Sequence, residues 1–82
     1  MKLIPGKLFK LKRHLSLIDP LVTFNIDVIS RFNIHVDNGD IILLLKCELH
    51  PPLFKFVFLT NENRIGYQIL CQHVIEDYMV EL

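Results

Sequence analysis

Eighty-two residues, nine basic and nine acidic, leave room for one small domain with no net charge. That balance excludes a global field drawing the chain onto nucleic acid or an anionic membrane. Two cysteines are too few for a disulfide framework, and no run approaches the ~18 apolar residues that span a bilayer. Met1 to Lys7 lacks a sustained apolar core and a small-residue cleavage site, so a reducing, cytoplasmic setting is expected.

The apolar content is unusual in kind. There is no alanine, and 36 of the 82 residues are Leu, Ile, Val or Phe. Branched and aromatic side chains suit a pleated surface better than close helix packing, which predicts an all-β chain. A domain of this size buries about 60% of its unfolded surface. Part of this bulk is therefore expected outside, where apolar patches are contact sites.

Pro5-Gly6 predicts a turn that launches a first strand from Lys7 to Arg13, with Phe9 and Leu11 on one face and Lys10 and Lys12 on the other. His14 to Leu21 reads as irregular, bending at Asp19-Pro20. Val22, Phe24, Ile26 and Val28 then alternate with polar residues. Ile29-Ser30-Arg31 breaks the alternation, and Phe32, Ile34 and Val36 resume it, so 22–36 reads as a hairpin. Asp37-Asn38-Gly39-Asp40 supplies residues that tolerate positive φ, a tight turn.

Ile41 to Leu49 is apolar on both faces until Lys46 and Glu48. Counted from that charged end, Ile41, Leu43, Leu45 and Cys47 point inward. Ile42 and Leu44 are then covered by something else, or the strand bends and changes face. After a loop at His50-Pro51-Pro52, Phe54, Phe56 and Phe58 line one face of a strand, with Lys55, Val57 and Leu59 on the other. Asn61-Glu62-Asn63 turns the chain into Ile65–Leu70. A short helical turn over Gln72–Asp77 precedes a final strand, Tyr78–Leu82. The expected core is Phe9, Leu11, Val36, Leu43, Leu45, Phe56, Phe58, Ile65 and Ile69.

Charge is segregated along the chain. Lys2, Lys7, Lys10, Lys12 and Arg13 precede the first acid, Asp19, and Glu76, Asp77 and Glu81 close the chain. First and last strands lying side by side with paired charges is the expectation, as an ordinary sheet device. The other reading is a basic arm for phosphates.

Ile34-His35-Val36-Asp37-Asn38-Gly39-Asp40-Ile41-Ile42 resembles the segment of Src-homology-3 domains in which an apolar-polar-apolar triplet leads through Gly-Asp into the second barrel strand. Phe54–Leu59 is similar to that family's tryptophan-bearing strand, Ile65-Gly66-Tyr67 to its glycine-aromatic strand, and Asp77–Leu82 to its closing segment. The resemblance covers residues 7–82 and is most specific over 34–67. Pro-Gly-Lys-Leu-Phe near the start and the late Ile-Gly-Tyr also resemble small phage and viral proteins. The resemblance implies a single domain over 1–82, a five-stranded Src-homology-3-like barrel with the 22–36 hairpin inserted and a helical turn before the last strand. The chain departs from the family's peptide groove: it has no tryptophan, Lys10 stands where an acid belongs, and no proline follows Gly66. These departures argue against proline-rich peptide binding, which needs a stacked aromatic groove.

Chemistry finds little support in the sequence. Cys47-x-x-His50 and Cys71-x-His73 are the metal-like pairs, but the inferred meander places the cysteines two strands apart. At ~4.8 Å per strand that is about 9–10 Å, too far for a shared zinc or a disulfide. Ser16 and Ser30 lack a nucleophile elbow. Glu76-Asp77 reads as solvated charge, and three scattered glycines make no phosphate cradle. His14, His35, His50 and His73 read as spread out at strand ends. No catalytic residue, metal or cofactor is expected.

Assembly remains. The expectation is a non-enzymatic interaction or structural subunit, self-associating or docked on a larger assembly, in host cytoplasm or a virion if viral. Its interaction surface would comprise Val22, Phe24, Ile42, Leu44, Phe54, Tyr67 and Tyr78. The alternative is a nucleic-acid-binding accessory that contacts phosphates through Lys7, Lys10, Lys12 and Arg13. No membrane partner is expected.

Overall fold

A computed structural model describes residues 3–20 and 34–82. Among these residues the chain forms seven strands and one short helix: β1 (Leu8–Leu11), β2 (Leu15–Leu17), β3 (Ile34–Val36), β4 (Ile41–His50), β5 (Leu53–Leu59), β6 (Ile65–Leu70), the helix Gln72–Glu76, and β7 (Met79–Glu81). An antiparallel five-stranded sheet runs in the order β6-β5-β4-β1-β7, and β2 pairs with β3 in a separate ribbon. The mostly-β expectation holds, and the helical turn precedes the last strand as the sequence predicts. Among the described residues no helix is long and apolar enough to cross a membrane.

The turns form where residues that tolerate left-handed backbone sit. Gly39 has φ +96°, and Asp40 N–H donates to Asp37 C=O at 3.0 Å, closing the corner between β3 and β4. Asn63, at φ 63°, closes the β5–β6 hairpin, its N–H donating to Thr60 C=O at 3.0 Å.

The ribbon is the first departure from expectation. Leu15–Leu17 is a strand, not irregular chain, and its partner is Ile34–Val36, in the register Leu15↔Val36, Ser16↔His35, Leu17↔Ile34. β3 thus pairs with a strand from outside the expected hairpin at 22–36, and the rest of that hairpin, residues 22–33, lies outside those described. The physical reason is burial: Leu15, Leu17, Ile34 and Val36 are each 3% exposed or less. They close over the five-stranded sheet, worth roughly 1.5–3 kcal/mol per fully buried side chain. Ile18 ties the ribbon to β6, its N–H donating to Tyr67 C=O at 2.8 Å and its C=O accepting from Tyr67 N–H at 3.0 Å.

β4 is the second departure. It pairs with β1 through Ile41–Leu43 and with β5 through Leu43–His50, and the register slips at Leu45. Leu44 opposes Phe58, whereas Cys47 opposes Phe56, so β4 spends one residue more than β5 over this stretch. Such a bulge reverses the parity of the strand. Ile42 and Leu44 point inward and are fully buried, whereas Leu43 is half-buried and Leu45 is exposed. The strand changes face, the second of the two alternatives the sequence allows.

The core comprises Phe9, Leu11, Leu15, Leu17, Ile34, Val36, Ile42, Leu44, Phe56, Phe58, Ile75 and Met79. Five of the nine expected core residues belong to it. Leu43, Leu45, Ile65 and Ile69 do not, because the parity of β4 and β6 turns them to the outer face.

Candidate functional site

The inward parity of Phe9, Ile42, Leu44, Phe58 and Gly66 fixes what the sheet presents on its other side. Strand registers line up Leu8↔Leu43, Leu43↔Leu59 and Leu59↔Ile65. Leu82 extends this row beyond Leu8, its N–H donating to Leu8 C=O at 3.2 Å. Five apolar side chains from β1, β4, β5, β6 and the chain end therefore cross the outer face in one row. A second row, Val80↔Lys10↔Ile41, lies beside it. Leu8, Ile41, Ile65, Val80 and Leu82 are 43–62% exposed. These two rows form an aliphatic surface around the Lys10 ammonium, and Lys46 and Lys55 stand farther along the same face on β4 and β5.

The expected interaction residues are placed differently. Ile42 and Leu44 are core and present nothing to a partner, a correction that follows from the bulge at Leu45. Phe54 is half-buried against the core, 6.2 Å from the ring of Phe56. Tyr67 lies on the outer side of β6 with the Lys55 ammonium 4.4 Å from its ring. Tyr78 packs on the core and carries the Arg13 guanidinium at 4.4 Å. Val22 and Phe24 lie outside the described residues.

The basic first strand is dispersed. β1 pairs antiparallel with β7, and Lys7 forms an ion pair with Glu81, as the segregated charges predict. Arg13 stacks on Tyr78, and Lys10 stands within the apolar face. Phe9 is fully buried and offers no ring for base stacking.

The structure also gathers residues that the sequence reading keeps apart. On the ribbon, Leu15, Leu17, Ile34 and Val36 face the core, so His14, Ser16, His35 and Asp37 share the opposite face. His14 Nδ1 lies 2.9 Å from Asp37 Oδ1, and Ser16 Oγ lies 3.1 Å from His14 Nε2 and 3.2 Å from His35 Nδ1. The two imidazoles stack at 5.3 Å between centroids. One proton arrangement satisfies all of them: His14 donates to Asp37, Ser16 donates to His14, and His35 donates to Ser16. Carboxylate, imidazole and hydroxyl occur in the order of a nucleophile relay. Here, however, the Ser16 hydroxyl is held between two rings rather than presented to a substrate. The alternation in His14-Leu15-Ser16-Leu17 and Ile34-His35-Val36-Asp37 was visible in the sequence. The pairing that joins them was not.

Cys47 and Cys71 are both free; Cys47 lies on β4 and Cys71 directly follows β6, with β5 between those two strands. Burial pushes the Cys47 thiol up from its ordinary range. Among the described residues no three His, Cys, Asp or Glu side chains group as metal ligands. No protein-family model, curated protein or solved structure matches this chain.

Proposed function

We propose that this chain is a non-enzymatic docking module on a Src-homology-3-like barrel, and that it self-associates through the outer face of its five-stranded sheet. The observation that carries the reading is the apolar row Leu82–Leu8–Leu43–Leu59–Ile65, whose outer members stay half exposed in the single chain. Contiguous apolar surface of this kind on a small protein marks a contact site. A second copy is the occupant that fits. The face is aliphatic, in the manner of interfaces between identical subunits, and lacks the Trp and Arg anchors common where different proteins meet. A formal net charge of zero leaves no mutual repulsion between copies.

The barrel assignment is supported by the strand order. The first strand lies beside the last, a long excursion follows the first strand, β4-β5-β6 forms a meander, and a helical turn precedes the closing strand. These are the connections that the family resemblance implies.

Light scattering across protein concentration and salt tests the function. An oligomer that persists from low to high salt is expected. A monomer that captures nucleic acid at low salt, with a steep salt slope, would replace this reading with the basic-strand alternative.

A further inference from the structure

We infer that His14, His35 and Ser16 form a binding site for a divalent transition-metal ion of the zinc and copper class, with Asp37 orienting His14. The site stands on the solvent face of the β2–β3 ribbon and does not depend on the docking face.

The geometry of the donor atoms carries the inference. His14 Nε2, His35 Nδ1 and Ser16 Oγ form a triangle with edges of 3.1, 3.2 and 3.4 Å. Tetrahedral coordination at about 2.0–2.1 Å places neighbouring donors roughly 3.3–3.4 Å apart, so the triangle has the size of one face of such a site. The two imidazole nitrogens at 3.4 Å match that edge without movement of the ribbon. In the free chain His35 Nδ1 donates to Ser16 Oγ; with that proton on His35 Nε2 instead, both nitrogens offer lone pairs to the point between the three atoms. A cation at that point would satisfy both nitrogens and the hydroxyl oxygen together.

Two further features fit a metal. Asp37 Oδ1 accepts from His14 Nδ1 at 2.9 Å, which leaves Nε2 as the free donor. That carboxylate–imidazole pairing orients metal-bound histidine and raises its basicity. Asp40 adds a second carboxylate nearby, its Oδ2 accepting from Asp37 N–H at 2.9 Å. The donor set also selects the ion. Two imidazoles and a neutral hydroxyl suit Zn2+, Cu2+ or Ni2+, whereas Mg2+ and Ca2+ demand oxygen cages. His14 and Asp37 are about half or more exposed, so an ion can enter and water can complete the coordination.

Titration calorimetry of the full chain with Zn2+ tests this, alongside Cu2+ electron paramagnetic resonance. Saturable binding of one ion per chain is expected, lost in His14→Ala and in His35→Ala. Asp37→Asn should weaken it about 10–100-fold. The Cu2+ spectrum should show splitting from two imidazole nitrogens in the wild type and from fewer in each single variant. Circular dichroism should be unchanged by these exposed substitutions. Absence of saturable binding overturns the inference. So does binding that survives the His14→Ala/His35→Ala double variant, which would place the ion at His50, His73 or the cysteines.

Discussion

Gly66 marks a close approach of the ribbon to the sheet. A Cβ added there would stand 2.8 Å from Leu17 Cβ and 3.0 Å from Ile34 Cδ1. Leu17 Cβ is fixed to its backbone and cannot swing away, so a substitution must push the ribbon off β6. We predict that Gly66→Ala costs about 1–3 kcal/mol and that Gly66→Val costs more, read from urea unfolding midpoints. Wild-type stability in Gly66→Val would show that the ribbon does not pack here. Phe56 is a second sensitive position. It is 1% exposed and its truncation to Ala should cost about 3–5 kcal/mol. A small domain with about 3–5 kcal/mol of net stability would then unfold. A loss below about 1 kcal/mol would place Phe56 outside the core. The Cys47 thiol, pushed up by burial, should react slowly with thiol reagents at neutral pH in the folded chain and quickly once unfolded. Equal rates would contradict its half-buried placement.

At the scale of elements, the bulge in β4 decides which side chains reach the core. Leu44→Lys places an unpaired ammonium in the core and should abolish folding, whereas Leu45→Lys, on an exposed side chain, should change stability by less than about 1 kcal/mol. Thermal melts of the two variants check this, and a reversal would restore the parity counted from Lys46 and Glu48. That count misled because strand alternation has a period of two and one extra residue inverts every position beyond it. Nothing in the run Ile41–Leu45 distinguishes its two faces, since all five residues are aliphatic. By contrast, β1 and β5 were legible because Phe9-Lys10-Leu11 and Phe54–Phe58 mark one face with charge or with repeated aromatics. The ribbon escaped notice for another reason. Three-residue strands carry a weak pattern, and β2 finds its partner across a long stretch of intervening chain. His14, Ser16, His35 and Asp37 were each visible, but their meeting depends on that pairing alone.

For the whole molecule, the amount of surplus apolar surface was legible in composition, and its location was not. The outer face gained Leu43, Ile65 and their neighbours only once the register of all five strands was known, while Ile42 and Leu44 went to the core. The ribbon covers the inner face of the sheet and leaves the outer row open. Sedimentation equilibrium of the wild type beside a Leu8→Glu/Ile65→Glu variant is the most direct test, because both side chains are 48% exposed and neither belongs to the core. With the outer row as the docking face, the wild type associates and the variant is monomeric with an unchanged melting temperature. A wild type that stays monomeric at every concentration, or a variant that associates as strongly, would contradict it.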